Sequence, residues 1–171
     1  MRALLLAVLI LPAVLAARAQ EDDETPAVQR YLVGISLGDD LERVRRAYPP
    51  AQEWPATVER KAGVTRYRVE RGGAKVFPAH VETLYLGFKR GRLVEIEIIY
   101  DEKESRVQTA GKVAGEYALV YGEAKRGNDR FWWSDGKTVL RVFPAELPVV
   151  KDGERAVAWR TAVQVFDRGL R

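Results

Sequence analysis

Three groups of residues in this chain have types and spacings that could do chemistry. Ser36 stands at the centre of Gly34-Ile35-Ser36-Leu37-Gly38. A G-x-S-x-G turn between a strand and a helix presents the nucleophilic serine of many hydrolases, and here a strand-like Tyr31-Leu32-Val33 precedes it and a helix-like run follows. Glu95 and Glu97 are two apart in a strand-like segment. At that spacing they lie about 6.6 Å apart along one face, within reach of glycosidase-type acid and base work. Trp132, beside Arg130 and across a turn from Arg141, could stack on a sugar, a peptide or another protein's side chain.

Each group also has a plainer use. Ser36 can act as an N-cap, with Asp39 three residues later completing a capping box and Asp39-Asp40 in the first turn of a helix. Serine chemistry further needs a base. His80, the only histidine, follows Pro78-Ala79 at the start of a strand, and the length is short for the large parallel sheet of such hydrolases. Glu95 and Glu97 equally fit the polar outer face of a half-exposed antiparallel strand. Trp132 could be covered by a helix or by the last strand. No residue is therefore put forward as catalytic, and no metal or cofactor is expected; Trp132, Arg130 and Arg141 are the candidate binding residues.

The elements that would position these residues can be read from periodicity. Leu37, Leu41, Val44 and Tyr48 form one apolar stripe, so a helix is expected from Ser36 until Pro49-Pro50 stops it. Thr65–Val69 alternates as a strand and turns at Arg71-Gly72-Gly73. In the next hairpin a three-residue loop, Lys89-Arg90-Gly91, sets Phe88 opposite Arg92. Leu84, Leu86 and Phe88 then share a face with Val94, Ile96 and Ile98, and Tyr85 shares the other with Glu95 and Glu97. A second helix is expected over Val107–Tyr121, with Gly122 as its stop. Asp135-Gly136 then reads as a two-residue turn that sets Trp133 opposite Thr138 and Phe131 opposite Leu140. A last strand places Val157, Trp159, Val163 and Val165 on one side. Trp54, beside Pro55, is expected to cap the edge of the core.

Composition bounds the rest. Residues 1–19 have one early arginine, the apolar run Ala3–Ala17 and a closing Ala17-Arg18-Ala19, the features of a secretory signal peptide. Its removal takes Arg2 and Arg18 from the 28 basic residues, against 24 acidic ones, so the net charge falls from +4 to +2. The remaining charges are interspersed, which speaks against a nucleic-acid partner. The chain has no cysteine, which excludes disulfides, thiolate metal sites and cysteine nucleophiles, and fits bacterial export to the periplasm better than a eukaryotic secretory route. An acidic leader over 20–27 is expected to be disordered. A single α+β domain over 28–171 then remains, an antiparallel sheet with two main helices packed on it and possible halves 28–100 and 101–171.

Val33-Gly34-Ile35-Ser36-Leu37-Gly38 with its helix, and the later FKRGRLVEIEIIYD, YGEA and WWSDGKTVLRVF, resemble small bacterial envelope domains of the SmpA/OmlA (BamE-like) kind. The tandem order is also similar to the β-lactamase inhibitor protein architecture, two α/β units side by side. The resemblance implies an envelope binding module whose sheet face meets a partner protein. The chain departs from the lipoproteins in lacking the lipid-bearing cysteine, and from the inhibitor in lacking its disulfides. The expected function is thus a non-catalytic exported module, periplasmic or secreted. Its expected partner is an envelope protein or cell-wall component, and no integral membrane segment is expected after signal cleavage. The alternative is a small carboxylate-dependent hydrolase acting on cell-wall or glycan material through Glu95 and Glu97.

Overall fold

A computed structural model describes residues 26–59, 62–151 and 153–170; the expected signal peptide, and the leader apart from Pro26 and Ala27, lie outside the described residues. A short hairpin, β1 (Tyr31–Leu32) and β2 (Ile35–Ser36), precedes helix α1 (Leu41–Ala47). Four strands follow, β3 (Ala56–Glu59), β4 (Val64–Glu70), β5 (Val81–Lys89) and β6 (Arg92–Tyr100). Helices α2 (Glu102–Val107) and α3 (Ala110–Tyr121) lead into β7 (Lys125–Gly127), β8 (Arg130–Ser134), β9 (Thr138–Lys151) and β10 (Glu154–Asp167).

The eight long-sheet strands run in the order β3-β4-β5-β6-β10-β9-β8-β7, every neighbouring pair antiparallel. Two four-strand meanders therefore meet at their last strands, β6 and β10. The fold is α+β, with helices and antiparallel strands segregated along the chain. Among the described residues, no helix is long and apolar enough to cross a membrane.

One sheet face holds the main core. Leu84, Leu86, Ile96, Ile98, Leu140, Val142, Val163 and Val165 are buried there with Val44 of α1 and Val113 and Ala114 of α3. Each such aliphatic side chain contributes about 1.5–3 kcal/mol when fully buried. Trp54 is buried as well, and its Nε1 donates to the Gly73 carbonyl at 2.9 Å, which closes the edge of the core as expected.

Several local expectations are corrected. Ser36 is not the N-cap: it pairs with Tyr31 in β2, and Gly38 (φ 98°) turns the chain before the helix begins. Asp40 caps α1 by accepting from the Arg43 N–H, while Asp39 accepts from the Ser36 N–H at 2.9 Å. The expected single helix over Val107–Tyr121 is broken at Gln108, and α3 restarts on the Thr109 N-cap; Gly122 (φ 77°) ends it as expected. Val157 and Trp159 alternate with Val163 and Val165 as expected but stay largely exposed, because β10 there runs past the end of β6.

Both hairpins keep their expected faces with different turns, except that Leu93 and not Val94 joins the core beside Phe88. Lys89 pairs with Arg92 around a two-residue turn, Arg90-Gly91, in which both residues have positive φ. Val94 is then an extra residue in a bulge, since Phe88 pairs with Leu93 but Gly87 with Glu95. That one inserted residue restores the alternation that a two-residue turn would otherwise have inverted. In the other hairpin Trp133 pairs with Leu140 and Phe131 with Val142, two residues beyond the expected partners.

The cause of that longer turn is the Asp135 side chain, which accepts from the backbone N–H groups of Thr138 (2.8 Å), Lys137 (3.0 Å) and Val28 (2.9 Å). Partial burial pushes the Asp135 carboxyl up, but the N–H donors of Thr138, Lys137 and Val28 together outweigh it and hold the group below its ordinary value. A depressed carboxylate pKa contributes stability that is present above the unfolded value, near pH 4, and is lost as pH falls through the folded one. Asp135→Asn should therefore be less stable than wild type at neutral pH, with the difference shrinking below about pH 4. Urea midpoints at several pH values measure this, and a difference that stays constant with pH would contradict it.

Candidate functional site

The sheet face opposite the main core carries the polar and aromatic residues of the alternating strands. In one cross-strand row Tyr85 on β5 pairs with Glu97 on β6, Glu97 with Gln164 on β10, Gln164 with Arg141 on β9, and Arg141 with Trp132 on β8. A neighbouring row runs from Arg66 on β4 through Gly87 to Glu95 and Phe166. Gly87 has a packing role in that row. A Cβ there would stand 3.0 Å from Glu95 Cβ and 3.2 Å from Val64 Cγ1, so only glycine leaves this channel clear between β4 and β6.

Arg66 reaches from β4 to the carboxylates of β6. Its Nη2 donates to Glu97 Oε2 at 2.7 Å and to Glu95 Oε1 at 3.2 Å, and its guanidinium lies 4.5 Å from the centre of the Tyr85 ring. Gln164 closes the group from the other side, its Nε2 donating to Glu95 Oε1 at 2.6 Å and Glu97 Oε2 at 3.0 Å. Both donors thus hold both carboxyl groups as acceptors. That is the arrangement of a shared ion pair on a sheet, whereas a glycosidase pair needs one member placed to give a proton to substrate.

Beside this group lies a cleft of about 580 Å³. Its floor includes Arg66, Tyr85, Glu97, Ile99 and Phe143, and the β7–β8 turn, Asn128-Asp129, contributes to its lining together with Arg130, Glu146 and Trp159. Asn128 and Asp129 both have positive φ, a two-residue turn that short polar side chains tolerate best. A smaller hollow of about 140 Å³ shares Arg66, Glu97, Arg130 and Phe143 with it and adds Arg141 and Gln164. Ile99, Ala145, Leu147 and Ala162 form a small buried apolar cluster on this face, with Tyr85 and Phe143 packed against it. The site therefore offers flat apolar surface bordered by cations and carboxylates, suited to recognition by stacking and charge together.

The three candidate binding residues are brought to neighbouring strands but not into one clamp. Arg130 stacks over the Phe143 ring at 5.6 Å and lines the cleft. Arg141 stacks over Phe166 at 4.5 Å and lines the smaller hollow. Trp132 is half-buried against Gly127 of β7 and lines a separate hollow with Pro26, Val28 and Tyr121. Arg66, Tyr85, Phe143 and Gln164 were not singled out from the sequence. Arg66 and Gln164 reach Glu97 only across sequence separations of 31 and 67 residues.

The remaining candidates stand apart. His80 is exposed, with its Nδ1 3.5 Å from Glu104 Oε2, and Ser36 is engaged through its backbone in the β1–β2 hairpin and by Asp39. Among the described residues, no cluster of three or more His, Cys, Asp or Glu side chains could hold a metal ion. No protein-family model matches the chain, and neither a curated protein nor a solved structure matches it.

Proposed function

We propose that this protein is a non-catalytic exported binding module of the bacterial cell envelope, acting in the periplasm or outside the cell. Its partner is an envelope protein or a cell-wall component, held on the open sheet face. The observation that carries this reading is the cleft of about 580 Å³ on that face, where Arg66 lies over the Tyr85 ring and Arg130 over the Phe143 ring. A second support is the joining of Glu95 and Glu97 to Arg66 and Gln164, which makes the carboxylates part of the binding floor. We read α1 with β3–β6, and α2–α3 with β7–β10, as two helix-plus-strands units of the BamE-like and inhibitor-like kind, with two main helices packed on the sheet. Arg130 and Arg141 then serve the partner directly, with Trp132 at the border of the same face.

A photoreactive amino acid at Glu146, an exposed residue lining the cleft, should crosslink the partner in intact cells. The same group at Leu119, exposed on α3, should not. Arg130→Ala should reduce the Glu146 product several-fold. Equal products from both positions, or none from Glu146, would remove the cleft as the binding surface.

A further inference from the structure

Strands β9 and β10 are 14 residues each, longer than any neighbour. β8 pairs with β9 only over Val139–Val142, and β6 pairs with β10 only over Ala162–Phe166. Beyond those points the two strands form a ribbon paired only with itself, and each has one outer edge. The two edges differ in chemistry.

Antiparallel pairing makes successive residues point their N–H and C=O groups alternately toward and away from the partner. Pro144 pairs with Thr161, and Pro148 with Val157. Proline has no N–H, so a proline inside a ladder belongs at a position that faces outward. Thr161 agrees, because its N–H points away from β9 and donates to Ser105 Oγ of α2 at 3.1 Å. The outward set on β9 is therefore 144, 146, 148 and 150, and two of its four donors are removed by proline. That edge is protected against strand addition.

The outward set on β10 is Arg155, Val157 and Trp159, with Thr161 closed off by Ser105. This edge has no proline, and Val157 and Trp159 are 60% and 59% exposed. It also complements itself. When two copies of Glu154-Arg155-Ala156-Val157-Ala158-Trp159-Arg160 run antiparallel about Val157, the outward residues Arg155 and Trp159 face each other twice. Ala156 meets Ala158, and Glu154 meets Arg160. The Arg155–Trp159 pairs set cation against ring and the Ala156–Ala158 pairs small against small, while Glu154 comes beside Arg160, whose guanidinium already bridges Glu82 and Glu102.

We propose that the outer edge of β10 is a homodimer interface, in which Arg155–Trp159 pairs with the same segment of a second copy across a twofold axis at Val157. The pairing would form about six backbone hydrogen bonds and join the two sheets into one. It would also set Arg155 of the second copy beside Trp159, which lines the cleft. The inference stands on the ribbon's own geometry and does not depend on the proposed partner.

Sedimentation equilibrium of the chain from Gln20, up to about 100 µM, should give a dimer. Val157→Pro removes an outward N–H in the way Pro148 does across the ribbon, so it should leave the circular dichroism unchanged and yield a monomer. Glu146→Pro makes the same change on the already blunted β9 edge and should leave the dimer intact. Trp159→Ala, which alters no backbone donor, should weaken association by about tenfold or more. A monomeric wild type, or a Val157→Pro variant that associates as tightly as wild type, overturns the proposal; a monomeric wild type whose β10 edge instead binds an unrelated extended peptide rejects the second copy as occupant.

Discussion

Trp133→Ala is expected to destabilise the protein by about 3–5 kcal/mol, the usual cost of removing a large buried aromatic side chain. Trp133 joins helix α3 to the sheet. Its indole lies 5.9 Å from the Tyr117 ring and 6.3 Å from the Tyr121 ring, and its Nε1 donates to the Gly122 carbonyl at 2.9 Å. That carbonyl belongs to the α3 C-cap, so the indole both fills the space under α3 and ties down its end. The neighbouring Tyr117 hydroxyl is pushed up to about pKa 12, chiefly by burial. Trp133→Phe keeps most of the ring and loses the hydrogen bond, and should cost only about 1–2 kcal/mol. Urea unfolding followed by far-ultraviolet circular dichroism measures both. Equal losses for the two variants would show that the hydrogen bond, and not the volume, holds α3 in place.

The second large effect is expected at Arg66. Breaking a fully buried ion pair from one side costs about 3–5 kcal/mol. Arg66 retains about 35% of its side-chain exposure, so water screens part of that loss, and Arg66→Ala should cost about 2–3 kcal/mol. The variant removes the guanidinium from between Glu95 and Glu97, while Gln164 still donates to both. Adding Glu95→Gln and Glu97→Gln to Arg66→Ala should therefore recover stability, since the repulsion disappears with the charges. The coupling is read from the urea midpoints of the single, double and triple variants. An Arg66→Ala loss below about 0.5 kcal/mol would make the group an ordinary surface ion pair.

Much of the fold was legible because it is written in local patterns. The alternation in Leu84–Phe88 and Val163–Val165 assigned residues to the correct sheet faces, that in Thr65–Val69 marked a strand, and Pro49-Pro50 and Gly122 ended the two helical regions near the right places. The edge strands β3 and β7 were missed. Each is short and exposed along its whole length, so neither has a buried face to imprint a period of two on the sequence. The capping assignment failed at Ser36 because Ser36, Asp39 and Asp40 all have cap chemistry, and the positive φ of Gly38 decides which of them starts the helix.

The candidate site was less legible than the fold. Glu95, Glu97, Arg130 and Arg141 were identified by type and by face, but their partners were not. Arg66 meets Glu97 because two intervening register choices, β4 on β5 and β5 on β6, bring it there, and the second of those contains a bulge at Val94. Arg130 and Arg141 flank Trp132 in the sequence pattern, yet each guanidinium lies over a phenylalanine.

By itself, then, the sequence determined which residues face the core, where helices and turns interrupt the strands, and that a charged and aromatic set lies on the other face. These are properties of a few consecutive residues, set by side-chain alternation and by glycine and proline. The tertiary structure alone decided that two meanders join through β6 and β10, that Arg66 and Gln164 bind the same carboxylates, and that the β9–β10 ribbon has one blunted edge and one open edge. Those outcomes depend on strand order and on one-residue changes of register. Their energy comes from contacts between distant segments, so no local pattern records them.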